Sequence, residues 1–316
     1  MWLIQNHTEV LYLQVLDSMS INKIKILVTG GAGFIGSSLC ERLQLNPNNL
    51  VFSLDNYSTG RIENHIEGVT YIKGSTKDID KLITINPDYI YHLGEYSRVE
   101  QSFKDIAKLW EYNITSIFPV LEFVRKTGAK LIYAGSSTKF GDEGLGRNQS
   151  PYAWAKASNT ELIENYGLWY GITSATVYFY NVYGEREISE GEYATLIAIF
   201  KNKFLNNEPL TVVSPGTQIR NFTHIDDIIN GLITVGEKGE GNNYCIGNSE
   251  SYSILEIAKM FGDDIKMLPK RKGNRFKSSI DTSRTEALGW QSTKSIVSYI
   301  EEIKRTKVDN LAKSVL

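Results

Sequence analysis

Apolar residues gather first at Lys25-Ile26-Leu27-Val28, a short run that reads as a buried strand, and the following Ser37-Ser38-Leu39-Cys40-Glu41-Arg42-Leu43 reads as a helix. Val51-Phe52-Ser53-Leu54-Asp55, Lys130-Leu131-Ile132-Tyr133-Ala134 and Ala175-Thr176-Val177-Tyr178 repeat the strand pattern. Before the last of these, residues 150–170 open on Ser-Pro, a helix start, and continue as a helix. Alternation sustained to about Tyr178 predicts an α/β fold with a right-handed, doubly wound parallel sheet, and leaves the remainder for a smaller lobe.

The glycines after the first strand bring chemistry to that fold. Val28-Thr29-Gly30-Gly31-Ala32-Gly33-Phe34-Ile35-Gly36 joins a strand to a helix, and two spacings fit it: Gly31, Gly33 and Gly36 as G-x-G-x-x-G, or Gly30, Gly33 and Gly36 as the looser G-x-x-G-x-x-G. Without side chains, such residues let backbone N–H groups approach a pyrophosphate at the positive end of a helix. Asp55 ends the second strand nineteen residues after Gly36, close to the spacing of a carboxylate that bonds the adenine ribose hydroxyls of a dinucleotide. It would repel a phosphate there, so the expected cofactor is NAD rather than NADP.

Tyr152 and Lys156 stand four apart in the predicted helix and share one of its faces. A tyrosine hydroxyl ordinarily titrates at about 10, and a neighbouring ammonium and a cationic nicotinamide ring both favour its phenolate form. Ser136 follows the strand at residues 130–134, where its hydroxyl can bond the reacting oxygen and hold a substrate in register with Tyr152. Ser136, Tyr152 and Lys156 are therefore the expected catalytic residues.

Composition agrees with a two-part globular enzyme. The 316 residues exceed the usual size of one core, and 41% are hydrophobic and 22% charged. A net charge of −2 with scattered basic residues makes neither nucleic acid nor an anionic membrane surface an expected partner. Cys40 and Cys245 lie far apart on predicted buried elements, which fits a reduced, cytoplasmic protein, and no cysteine-histidine spacing points to a metal. Residues 1–18 contain Glu9 and Asp17, lack a basic start and have no run long enough to span a bilayer; they read as an extension ahead of Met19.

With its glycine turn, Ser136 and Tyr152-Ala153-Trp154-Ala155-Lys156, the chain resembles the extended short-chain dehydrogenase/reductase family, in its nucleotide-sugar epimerase and dehydratase branch, from about Lys23 to Trp290. The resemblance implies a Rossmann NAD-binding domain over residues 19–183, to which residues 220–238 return, and a smaller α/β substrate-binding lobe over residues 184–316. It implies cofactor contacts from Gly30, Gly33, Phe34, Ile35 and Gly36, and from Asp55, Asn56, Ser58, Thr59 and Gly60. It adds Ser75 and Thr76, Leu93 and Gly94 after a strand at residues 87–93, Asn113, Tyr152, Lys156, and Tyr180 of Tyr180-Asn181-Val182-Tyr183-Gly184. A nucleotide-sugar substrate is expected at Ser97, Ser136 and Asn181. Arg220, and Arg271 in Arg271-Lys272-Gly273-Asn274, would grip its diphosphate with paired hydrogen bonds. The resemblance also implies a homodimer through a four-helix bundle of the helices near residues 106–126 and 152–170. Leu109, Tyr112, Ile117, Leu121 and Val124 would either meet the partner or face the sheet.

Departures from the family pattern narrow the reaction. Dehydratases of the branch carry an Asp-Glu pair after the strand-end hydroxyl, and its decarboxylases a glutamate; here Ser137 and Thr138 stand there, and neither acts as a carboxylic acid or carboxylate does. Ser75 replaces an aspartate near the adenine. Gly94-Glu95 replaces a pair of small residues, making Glu95 either a substrate ligand or a solvated loop charge. Residues 141–151 are short beside the sugar, implying a more open pocket. The expected activity is 4-epimerisation of a UDP-hexose by transient oxidation at carbon four; the alternative is a nucleotide-sugar 4-ketoreductase or dehydrogenase, with a 4,6-dehydratase or a dinucleotide sensor behind them.

Overall fold

A computed structural model describes residues 23–140, 146–269 and 280–315, with side chains to residue 309. The expectations for residues 1–18, for Arg271-Lys272-Gly273-Asn274 and for the first part of the 141–151 loop lie outside the described residues.

Seven strands, β1 (Ile24–Thr29), β2 (Asn49–Asp55), β3 (Thr70–Lys73), β4 (Tyr89–His92), β5 (Lys130–Ala134), β6 (Ser174–Phe179) and β7 (Gly241–Ile246), form one sheet in the order β7-β6-β5-β4-β1-β2-β3. Every ladder in it is parallel. The central strands β1, β2, β4 and β5 are largely apolar because both faces of the sheet are covered there. Ile26 and Val28 of β1 point to one side, against Leu39, Cys40 and Leu43 of helix α1 (Phe34–Gln44). Leu27 points to the other, in a core with Ile117, Leu121 and Val124 of α2 (Ser116–Thr127) and Ile163 and Tyr166 of α3 (Pro151–Tyr170). Strand order reverses between β1 and β4, which opens a crevice at their carboxyl ends.

Local signals set the helix that carries Tyr152 and Lys156. Ser150 caps α3 by accepting the Ala153 N–H at 3.1 Å, Pro151 occupies its first turn, and Gly171 ends it at φ +69° with its N–H on Gly167 O. The helix expected near residues 106–126 is broken into three parts: α-helical Ile106–Leu109, a π-helical turn Trp110–Thr115, and α2. Such a widened turn resets which residues face inward.

After β6 the chain builds a second core from Phe200, Val212, Phe222, Ile257, Phe261 and Ile300. It then returns to the first. Helix α4 (Ile225–Lys238) lays Ile225, Ile228, Ile229, Leu232 and Val235 on the α1 side of the sheet, a stripe at helical spacing. The resemblance implies a return over residues 220–238; the return continues through β7, where Tyr244, Cys245 and Ile246 pair with Val177, Tyr178 and Phe179. Buried Asp227 of α4 fastens the later segment to it. Its carboxylate accepts Ser292 Oγ–H, Thr293 N–H and Oγ1–H and Lys294 N–H at 2.8–2.9 Å, and its carbonyl accepts the Trp290 indole N–H. No helix among the described residues is long and apolar enough to cross a membrane.

Candidate active site

A cavity of about 690 Å³ lies beyond the carboxyl ends of β1, β2, β4, β5 and β6, walled on its far side by Leu196, Ile197, Thr211 and Val213. Gly30, Gly33, Phe34, Ile35 and Gly36 line it, whereas Gly31 is turned away toward Ser53 and Cys40, so the looser of the two glycine spacings is the one facing a ligand. Gly30 adopts φ +75°, and a Cβ there would meet Gly94 Cα at 2.9 Å; a Cβ on Gly36 would run into Gly30 O. The start of α1 has no side-chain cap. A glycine turn packed this closely on neighbouring backbone lets its main chain approach the cavity at an uncapped helix start, which fits a pyrophosphate.

Asp55 stands on the same wall. Its Oδ2 accepts the Ala32 N–H at 2.9 Å and its Oδ1 the Tyr57 N–H at 2.8 Å. Burial lifts the carboxyl above its ordinary value, and those two bonds oppose the lift. Asn56, Ser58, Thr59, Ser75, Thr76, Leu93 and Gly94 also line the cavity. Gly60 does not; it backs Asp55, where a Cβ would sit 2.8 and 2.9 Å from the two carboxylate oxygens.

Ser136, Tyr152 and Lys156 open into this cavity from β5 and α3, although each is mostly buried. Ser136 Oγ lies 2.9 Å from Thr138 Oγ1 and accepts the Thr138 N–H at 3.3 Å. Lys156 Nζ donates to Ala134 O at 2.7 Å and lies 2.5 Å from Glu95 Oε2. The Glu95 side chain is 1% exposed and also accepts from Tyr133 Oη at 3.0 Å and from Asn159 Nδ2 at 2.9 Å. It is therefore not a solvated loop charge, and its oxygens are committed to the protein rather than to a substrate. Burial acts to raise its carboxyl, but the Lys156 ammonium and the His92 ring outweigh that and hold it below the usual carboxylate range.

Besides Gly60, two expected cofactor contacts do not line the cavity. Asn113 is fully buried in the π-helical turn, away from the cavity wall, with both ends of its amide bonded to the Tyr96 backbone. Tyr180 is likewise buried behind the wall, beside Tyr178 and Cys245, and its hydroxyl points to Cys245 Sγ. The alternation of a strand explains the second case: Phe179, one residue earlier, lines the cavity. Ser97, Asn181 and Arg220 do line it; Asn181 also ties the end of β6 to Asn221 O at 2.8 Å. Arg271 lies outside the described residues.

Three wall residues carry no motif. Arg98 donates from Nε to Tyr193 O at 3.2 Å and from Nη1 to Ser97 O at 3.2 Å. Glu187 accepts the Gly184 N–H at 2.9 Å and the Thr195 hydroxyl at 2.6 Å, and burial pushes its carboxyl up to about 7. The third is Phe179, which the period of two along β6 would have found.

Ile117, Leu121 and Val124 of the second helix face the sheet, and Leu109 is buried beside Tyr152. The exposed apolar residues there are instead Phe103, Ile106, Trp110 and Phe118, with Trp154, Leu168, Trp169 and Tyr170 on α3. Trp110 and Trp154 stack, with centroids 6.0 Å apart and planes 8° apart.

Fold and cavity together are those of a dinucleotide-dependent enzyme of the short-chain dehydrogenase/reductase type. The sequence matches the model of the NAD dependent epimerase/dehydratase family over residues 26–247, and the chain belongs to that family, whose cofactor is NAD. It is 30% identical over 308 residues to a putative UDP-glucose 4-epimerase of Methanocaldococcus jannaschii, covering 89% of this chain and 100% of that one. It is 29% identical to UDP-glucuronic acid decarboxylase 3 of Arabidopsis thaliana, over 85% of this chain and 84% of the relative. The crystal structure of a Thermotoga maritima UDP-glucose 4-epimerase with UDP-glucose superposes with a TM-score of 0.83 at 26% identity, over 90% of this chain and 100% of that one.

Proposed function

We propose that this protein is a nucleotide-sugar 4-epimerase acting on a UDP-hexose. The observation that carries the reading is that Ser136, Tyr152 and Lys156 open into one cavity with the glycine cradle, while hydroxyls, not carboxylates, follow Ser136 at Ser137 and Thr138. Relatives of similar identity include both epimerases and decarboxylases, and Thr138 favours the former because it offers no carboxyl for elimination or decarboxylation.

NAD, when bound along Gly30 to Gly36 and Asp55, supplies reversible hydride acceptance. Tyr152 takes the proton from the carbon-four hydroxyl and returns it after the ketose has turned. Ser136 bonds the reacting oxygen, and Lys156 holds a positive charge beneath the phenol. Arg220 and Arg271 anchor the diphosphate while the hexose is held loosely, which the turn requires. The protein works as a homodimer joined through the exposed aromatic face of α3 and the 103–118 segment. It is cytoplasmic, a reading supported by two buried free cysteines.

The test is to incubate the purified protein with UDP-glucose or UDP-N-acetylglucosamine and look for the galacto epimer by NMR. No epimer from UDP-, GDP-, ADP- or dTDP-sugars would defeat the reading. Net consumption of added NAD or NADH would point to the ketoreductase or dehydrogenase alternative.

A further inference from the structure

We infer that Glu95 is a positioning residue for proton transfer at Tyr152: it fixes the direction of the Lys156 ammonium and offsets its charge. The inference rests on the Tyr152–Lys156 chemistry proposed above.

Lys156 has three N–H donors, and Glu95 Oε2 and Ala134 O occupy two of them. One remains to point into the cavity. Glu95 is in turn surrounded by donors. Tyr133 Oη and Asn159 Nδ2 bond its two oxygens, and His92 Nε2 lies 3.5 Å from Oε1. The histidine tautomer follows from its other side. Thr29 Oγ1 already accepts the N–H groups of Leu93 at 3.1 Å and Gly94 at 3.0 Å, so its own hydrogen goes to His92 Nδ1, 2.7 Å away. His92 then carries its hydrogen on Nε2, toward Glu95. Burial and Glu95 raise Tyr133 well above the ordinary tyrosine range, so its hydroxyl stays a donor. No neighbour competes with Glu95 for a proton; the site holds an anion.

The consequence is electrostatic. A lone ammonium beneath Tyr152 favours its phenolate strongly, whereas one paired with a carboxylate favours it less. Among the described residues, the other charged and titratable groups around the tyrosine are few. Arg98 lines the same cavity and is bonded to the carbonyls of Tyr193 and Ser97; Tyr96 and Tyr193 both bond Asp105, and Tyr133 and His92 lie behind Glu95. Glu95 thus shares control of the tyrosine's proton with Lys156.

The experiment is the pH dependence of NAD reduction and epimer formation by the NAD-loaded enzyme with UDP-glucose and UDP-N-acetylglucosamine as probes. Glu95→Gln is expected to move the acidic limb of kcat to lower pH by about one unit, as loss of a nearby unit charge does, with KM little changed. Glu95→Asp keeps the charge and should leave the limb in place, with a lower plateau because the shorter arm withdraws from Nζ. An unmoved limb in a folded Glu95→Gln enzyme overturns the inference. Should that variant not fold, a Glu95→Asp enzyme with an unchanged plateau overturns it equally. A purely structural Glu95 would reduce the yield of folded enzyme without moving the limb. An unaltered enzyme that turns over no UDP-, GDP-, ADP- or dTDP-sugar, or a Tyr152→Phe enzyme that keeps full turnover, sinks the proposed function and the inference with it; active enzyme with an unmoved limb sinks the inference alone.

Discussion

Asn113 is bonded at both ends to one residue: its Oδ1 accepts the Tyr96 N–H at 2.7 Å and its Nδ2 donates to Tyr96 O at 3.1 Å. The clasp holds the loop that presents Glu95, Ser97 and Arg98 to the cavity. Asn113→Ala leaves a buried N–H and C=O without these partners, so urea denaturation should show a loss of about 2–4 kcal/mol. Turnover of the folded fraction should fall further than its NAD binding.

On the proposed reading, Asp55 gives its remaining acceptor capacity to the adenine ribose. Asp55→Ala should weaken NAD binding roughly 10- to 100-fold by calorimetry, the range for loss of a hydrogen bond to a charged group. Gly60→Ala should act in the same direction, because the new methyl group presses on both carboxylate oxygens.

Tyr152→Phe keeps the ring and removes the hydroxyl that the proposed mechanism makes the proton carrier. Turnover should drop by about 10²–10⁴-fold, the usual contribution of one acid-base group, while NAD binding measured by fluorescence persists.

Glu187 gives a pH signature. Its carboxyl is pushed from 4.5 up to about 7 by burial, against the bonds from Gly184 and Thr195. Between those values the folded state binds the proton and the unfolded state does not. Its contribution to stability therefore improves as pH falls from above 7 and is lost as pH rises through the folded value. Glu187→Gln should shrink the difference in urea midpoint between about pH 8 and about pH 5; an unchanged difference would remove Glu187 from the account.

Trp110 and Trp154 stack on the exposed face of the two helices, 49% and 39% exposed. If that face joins two copies, Trp110→Glu should yield a monomer by light scattering with an unchanged circular dichroism spectrum, since the residue lies outside the core.

What could be read from the residues followed from local rules. Strand, glycine turn and helix lie within a few residues of one another, so the cradle at Gly30, Gly33 and Gly36 was legible. So was the pair Tyr152 and Lys156, because one helical turn fixes their common face. The placement of Tyr180 was less legible: the structure buries it beside Tyr178 and Cys245, and Phe179 lines the cavity.

The sequence by itself determined the doubly wound class, the strand-glycine turn-helix unit and the common face of Tyr152 and Lys156, because each is set by periodicity and spacing along neighbouring residues. Only the tertiary structure decided that Asn113 clasps Tyr96, that β7 joins the sheet beside β6, and that Glu95 closes on Lys156. Those partners are separated by 17, 67 and 61 residues, and no local rule specifies which distant donor a buried carboxylate or amide will meet until the core has packed around it.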